Sequence, residues 1–308
     1  MSHLSIQLHH LAIRFIDEGP LLPWLGPALR GLVAGGFKER VCAHPPHVRL
    51  QQWQHCSGCP YQTSCPYGVL FEPADSNDSP EKQDAARRPL VMAPDPAPAS
   101  VSLPGMLMPL RMLVVGEQPG NWAMELLQCI ESLGADRGLG SNEVHFELLP
   151  VGNPSICALD ASVFPLTPVP NEPLHPLLTI ELRSPLFLRE ARSRNLLESP
   201  SLADLLKASI RVVDGLFSQI TGTPLSPDIR SLVELANQAS VLSEQWEPFS
   251  QRHHSTRGKV RYSLEGVVGH AVYTSVHQSL VPWLTWGGML HVGGHRIAGA
   301  GGWRTVLG

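Results

Sequence analysis

The spacing of apolar residues changes period along the chain, and each change predicts an element. Residues 4–16 alternate loosely between apolar and polar, which reads as a strand. Beyond Pro20 and Pro23, Leu25, Leu29, Leu32 and Gly36 recur at helical spacing, so Trp24 to about Val41 is predicted as a helix. The Gly35–Gly36 pair is poor helix-forming material and marks a place where another element can come close. Residues 73–104 hold seven prolines among Asp, Ser and Ala, and read as a loop or disordered insertion. Residues 108–117 form the next strand. Trp122, Leu126, Ile130 and Leu133 then share a helical face, a glycine turn runs from Asp136 to Gly140, and Val144, Phe146 and Leu148 alternate as a strand.

The second half repeats this order. Residues 152–176 are proline-rich and read as a linker. Residues 177–190 alternate, and Leu202, Leu205, Leu206, Val213, Leu216, Phe217 and Ile220 lie at helical spacing. A polar stretch, 244–263, precedes a strand over 264–275, and a short helix around Leu280–Trp286 leads into the C-terminal loop. Each half therefore gives strand, helix, hairpin-type strands, a second helix, a glycine turn and a final strand. That is the β-α-β-β-α-β plan of a ferredoxin-like unit, used twice in an α+β chain. The expected division is residues 1–151, with a Cys-rich and Pro-rich insertion over 42–104, the linker, and residues 177–308.

Composition bounds the function. A chain of 308 residues with mean hydropathy near zero has room for two substantial cores. Its apolar runs fall far short of a membrane span, and no secretory signal opens the sequence, so a cytoplasmic protein with no membrane partner is expected. The net charge of -4 argues against nucleic acid for the whole molecule. The C-terminal segment reverses the balance: from Arg252 onward six basic residues face one acid, Glu265, and six of the fourteen histidines lie there.

Two segments carry candidate chemistry. From Gly287 to Gly308 glycine recurs eight times, interleaved with His291, His295, Arg296 and Arg304 and flanked by apolar runs. Such a density suggests close approach of backbone to an anion, phosphate above all. The second segment holds Cys42, Cys56, Cys59 and Cys65, a C-x-x-C pair with two outlying cysteines. This is ligand spacing for a structural zinc; an iron–sulfur cluster and free thiols are the alternatives. Cys129 sits on an apolar helix face and reads as core.

Three stretches resemble the CRISPR-associated endoribonuclease that processes precursor crRNA (Cas six, of the RAMP superfamily). They are LPWLGPALRGLVAGGFKERVC running into CSGCPYQTSCPYGVLFEP, then DRGLGSNEVHFELLPV, and LEGVVGHAVYTS through LHVGGHRIAGAGGWRTVL. The resemblance implies tandem ferredoxin-like (RAMP/RRM-like) folds and a glycine-rich loop that contacts CRISPR repeat RNA. It also implies cleavage without a catalytic cofactor and crRNA and other Cas proteins of an effector complex as partners. Ala298 and Ala300 depart from the glycine pattern of the loop.

RNA carries its own nucleophile, the 2′-OH, so a base, a cation and an acid suffice to leave a 2′,3′-cyclic phosphate. By the resemblance, the catalytic group lies on or just after the first helix, which offers His44 and His47 with Arg30, Lys38 and Arg40. His44, Arg30 and Arg40 are the expected catalytic set, although His44 also suits a zinc ligand. Lys38, Arg252, His253, His254, Arg257, Lys259, Gly293, Gly294, His295, Arg296, Gly299, Gly301, Gly302 and Arg304 are expected to bind RNA. Two further readings stand beside this one. A non-catalytic subunit that caps crRNA would share the fold and the loop, whereas a zinc-stabilised dinucleotide-binding enzyme would need a G-x-G-x-x-G turn that is not there.

Overall fold

A computed structural model describes residues 3–52, 55–73, 87–169, 172–190, 193, 195–255 and 260–308. The chain divides into two compact units, built mainly from Ser5–Cys157 and from Ala158–His254 with Val260–Gly308.

The first unit runs β1 (His3–Phe15), α1 (Gly26–Val41), β2 (Leu90–Pro94), β3 (Leu107–Val115), α2 (Ala123–Asp136) and β4 (Phe146–Pro150). Its sheet has the order β2-β3-β1-β4, so the first strand is central. Neighbours pair antiparallel, with Leu11 opposite Leu110 on one side and Pro150 on the other. Helix α1 opens with a proline in its first turn, where a missing N–H costs nothing. It packs on α2, and the glycine pair explains how. A Cβ on Gly36 would stand 2.5 Å from a Leu133 methyl, whereas one on Gly35 would meet nothing within 4 Å. One glycine admits the neighbouring helix; the other faces outward.

Strand β2 corrects the sequence expectation of a loop over 73–104. Its five residues are all buried, so there was no alternation to see, and the surrounding prolines masked it. Pro94 is tolerated because β2 is an edge strand, where one face of the backbone needs no ladder partner.

The second unit repeats the order with β5 (Leu178–Leu182), α3 (Leu202–Thr221), α4 (Ile229–Gln238), β6 (Ser240–Ser255), β7 (Val260–Thr274), α5 (Val281–Leu290) and β8 (Trp303–Leu307). Its sheet order is β6-β7-β5-β8, the same arrangement as in the first unit. Helix α3 is framed as its sequence predicts: Ser201 and Asp204 form a capping box and Gly222 ends it in the left-handed region. The polar stretch over 244–263, expected only to precede a strand, is largely strand itself: it supplies most of the 16-residue β6 and the start of β7. As an edge strand with many exposed residues, β6 has no apolar face to betray it. Within the expected linker, Ser155–Asp160 is a strand and Leu174–His175 pairs with Val276–His277.

Candidate functional site

The glycine-rich loop begins where α5 stops. His291 takes φ 60°, its Nδ1–H donates to the Ala300 carbonyl at 3.1 Å, and Val292 N–H donates to Gly301 O at 3.0 Å. The chain thus folds back on itself, crossed by a single 3₁₀ turn, Arg296–Ala298. Arg296 is fully buried. Its Nε–H is shared between the carbonyls of Leu290 (2.6 Å) and His291 (3.1 Å), the last turn of α5. A cation there satisfies carbonyls that the helix cannot and complements the negative end of its dipole.

The loop's glycines are used in the same inward way. A Cβ on Gly301 would lie 1.9 Å from Val292 O, and one on Gly302 would lie 2.4 Å from the His291 ring. Gly287 accommodates Ser209, and Gly288 accommodates Trp303. The amides of Gly294, Gly299, Gly301 and Gly302 donate to Phe187 O, Arg296 O, Pro185 O and Ser184 Oγ. These observations correct two expectations. Arg296 does not reach a phosphate, and the amides of these four glycines do not line an anion cradle. What the loop offers solvent is its tip: Gly293 and Gly294 are half-buried and His295 is exposed, its ring edge-on to Phe187 at 5.1 Å between centroids. Arg304 is also exposed and pairs across the strands with Glu181 at 3.5 Å.

Of the expected basic contacts on β6, Arg252 is exposed and His253 is half-buried. Arg257 and Lys259, and the side chain of His254, lie outside the described residues.

The other expected constellation, at the end of α1, is more inward than the sequence suggests. Lys38 is buried, with its Nζ over the Tyr67 ring at 4.7 Å. Glu72, also buried, accepts from the Cys56 N–H (2.6 Å) and from the Tyr67 hydroxyl (3.1 Å). Lys38 therefore belongs to a buried polar cluster, which corrects its expected role on RNA. Burial, with the Glu72 carboxylate next, pushes the Cys56 thiol up to about 12. Arg40 is exposed and held by α2, through Glu125 at 3.6 Å and Gln128 at 3.2 Å. Arg30 is half-buried, about 15 Å back along the helix axis, so the two arginines do not serve one phosphate.

His44 is half-buried; its Nε2 lies 3.3 Å from Cys59 Sγ and its ring 5.3 Å from that of Tyr61. His47 is exposed on the short helix Pro46–Gln51, which Arg49 ties to α1 by donating to Glu39 O at 3.2 Å. Cys42 is the C-cap of α1. Among the described residues, no group of three or more His, Cys, Asp or Glu side chains is placed to hold a metal ion. No helix is long and apolar enough to cross a membrane among those residues.

Two units with the same sheet order, the second with a glycine-rich loop before its last strand, define a two-unit α+β protein. Residues 180–303 match the family described as CRISPR-associated endoribonuclease Cas6, and residues 4–160 match a family described as an N-terminal domain (AF_1859_N). The second part of the chain is thus similar to the Cas6 family. Solved structures of similar fold include the Cas6 (TTHB231) product complex, at TM-score 0.54 and 16% identity over 99% of this chain and 100% of that one. Thermus thermophilus Cas6 (TTHB231) gives 0.52 and 13% over 99% and 100%. The partial Cas6-RT-Cas1--Cas2 complex gives 0.56 and 11%, over 99% of this chain and 46% of that one. No curated protein matches the sequence.

Proposed function

We propose that this chain binds CRISPR repeat RNA and cuts precursor crRNA by attack of the RNA's own 2′-OH, leaving a 2′,3′-cyclic phosphate and a 5′-OH. The observation that carries the reading is the family match in the second half, joined to a fold whose two units share one ferredoxin-like plan. The reaction needs no catalytic metal, because the nucleophile is internal and a histidine can move the protons near neutral pH. Of the two histidines that follow α1, His47 is the exposed one, and Arg40, also exposed, stands one short turn away in sequence on the helix end. His47 is the proton carrier and Arg40 the cation in this reading. RNA meets the second unit at its exposed cations and the loop tip: Arg252, Arg304 and His295. In this reading the chain acts in the cytoplasm and stays with its crRNA among other Cas proteins, which is supported by fold neighbours solved as a Cas6 product complex and as a partial Cas6-RT-Cas1--Cas2 complex.

A second reading has its own observation. With His44 against Cys59 and Lys38 buried, two of the cationic candidates at the α1 end are engaged inside the protein. That favours a subunit that caps crRNA without cutting it. Labelled repeat RNA, incubated with the protein in single-turnover conditions with chelator, separates the two. Cutting at one position with a cyclic-phosphate end supports the nuclease; binding with intact RNA supports the cap.

A further inference from the structure

The tip of the glycine-rich loop holds one side chain in a conformation that glycine would take more easily. His295 has φ 58° and ψ 23°, the left-handed region that a residue with a Cβ enters at a cost. The backbone of the loop fixes that conformation. The His295 carbonyl accepts from the N–H groups of Ala298 at 2.9 Å and Ala300 at 3.4 Å, and so opens the 3₁₀ turn. Gly293, Gly299 and Gly301 take positive φ in the same loop, at 76°, 82° and 72°. His291 does so as well, but its ring is buried and bonded to the Ala300 carbonyl. The His295 ring has no such inward use: the residue is exposed, and its side chain makes no capping hydrogen bond to the turn it opens. A strained backbone that carries an exposed ring points to a use for the ring.

Aromatic side chains hold that ring from the protein side. The centroid of Phe187, a buried residue, lies 5.1 Å from that of His295, with 70° between the two planes. Phe249, half-buried on β6, meets Phe187 edge-on at 6.2 Å. Phe187 is itself closely packed: a Cβ on Gly266 of β7 would stand 2.9 Å from two of its ring carbons, and its carbonyl accepts from Gly294 N–H at 2.9 Å. Rings at 70° are not stacked, so Phe187 leaves at least one face of the imidazole uncovered. An aromatic face supported in this way at a solvent-facing loop tip suits the π-face of a nucleobase. We propose that His295 stacks on one nucleobase of the bound RNA, with Phe187 and Phe249 fixing the ring. The base is one with an open face, either outside a paired stem or at its end. The contact is to the base and not to a phosphate, and it tolerates any base, since each has a π-face. This rests on the RNA-binding reading above and adds what the loop tip recognises.

The test is the affinity of the full chain for labelled repeat RNA, with three substitutions at position 295, each checked for folding by its melting curve. Asparagine tolerates the left-handed region and has no ring. His295→Asn should therefore bind about tenfold more weakly, the order that one base–aromatic stack contributes. His295→Phe should keep most of the affinity, and His295→Lys, a cation without a ring, should not. An abasic nucleotide moved along the repeat should identify one position where wild-type affinity drops to that of His295→Asn and where His295→Asn loses nothing further. That scan uses a well-folded protein, so it decides the matter even if phenylalanine is not accepted at the left-handed position. Wild-type affinity in folded His295→Asn overturns the proposal, as does an abasic scan that affects both proteins equally at every position. Rescue by lysine and not by folded His295→Phe makes the contact a phosphate contact and also overturns it. Wild-type protein that does not bind the repeat at all overturns the RNA-binding reading together with this one. Only binding is read, so the outcome is the same for a nuclease and for a cap.

Discussion

Gly302 and His291 stand so close that a methyl group on the glycine would lie 2.4 Å from the imidazole. The same imidazole bonds the Ala300 carbonyl, so it cannot swing away without unmaking the fold-back of the loop. Gly301 is worse placed for substitution, since its φ is 72° and the obstacle is the backbone oxygen of Val292. Gly294 has no such constraint: its nearest neighbour is 3.4 Å away. Gly301→Ala should therefore cost about 1–3 kcal/mol from conformation alone, with the backbone clash in addition. Gly302→Ala should also destabilise, and Gly294→Ala should be near neutral. Chemical denaturation of the three variants checks the order.

Arg296 makes a related prediction. Its guanidinium holds the carbonyls that end α5, and charged hydrogen bonds of this kind contribute about 1.5–3 kcal/mol. Arg296→Ala should lower stability by at least that much and weaken RNA binding only as far as the folded fraction falls. Arg304→Ala, on the surface, should leave stability nearly unchanged, because exposed ion pairs are worth about 0–1 kcal/mol, and should flatten the salt dependence of RNA binding. An Arg296→Ala protein as stable as wild type, with weaker binding, would return Arg296 to the RNA.

These two residues show where the sequence was legible and where it was not. The duplicated order of elements could be read because α1, α2 and α3 keep helical spacing, and because Ser201, Asp204 and Gly222 carry their capping chemistry openly. The glycine loop was correctly seen as a place of close approach. What approaches was not visible, because a glycine that admits a phosphate and one that admits a histidine ring look alike in sequence. Lys38 and Arg296 were misread for a similar reason: charge suggests solvent, and only the fold shows a cation turned inward onto an aromatic face or a helix end. Strand β2 escaped because a fully buried strand has no alternation.

The glycine pair in α1 offers a test with opposite signs at adjacent positions. Gly35 faces open space, so Gly35→Ala should stabilise by about 0.8–1.0 kcal/mol through helix propensity. At Gly36 the same gain is opposed by overpacking against Leu133, which is itself buried, at about 1–3 kcal/mol. Gly36→Ala should be net destabilising. Thermal melts of the two variants against wild type decide it, and equal shifts would mean that α2 is not held where Leu133 places it.

Two groups of the first unit set an expected acid sensitivity. Burial lowers the pKa of His9, and its Nε2 has no hydrogen-bond partner among the described residues. A histidine lowered in the folded state stabilises fully above its unfolded value of about 6.5, and that contribution is lost as pH falls through it. The Asp17 carboxyl is lowered by its hydrogen bond from His145, so its contribution is present above about 3.9 and lost in stronger acid. Stability should thus decline in two steps, the first beginning near pH 6.5 and the second below about 4. His9→Leu should remove part of the first step and Asp17→Asn part of the second, read from denaturation midpoints across pH.

The cleavage prediction turns on which histidine is free to work. A general acid–base group contributes about a hundred- to ten-thousand-fold in rate. His47 is exposed on a helix that Arg49 anchors to α1, whereas His44 faces Cys59. His47→Ala should therefore slow single-turnover cutting of repeat RNA at least about a hundredfold, with binding retained. Arg40→Ala should also slow it, by less if Glu125 and Gln128 already draw its charge away from the site. Arg30→Ala, about 15 Å back along α1, should cut near the wild-type rate. His44→Ala should act differently in kind: it removes the contact with Cys59, so it should lower stability while the folded protein still cuts near the wild-type rate. If folded His44→Ala never cuts while His47→Ala cuts normally, His44 is the proton carrier after all. Should wild-type protein bind the repeat and leave it intact, while the stability predictions hold, the chain is a cap.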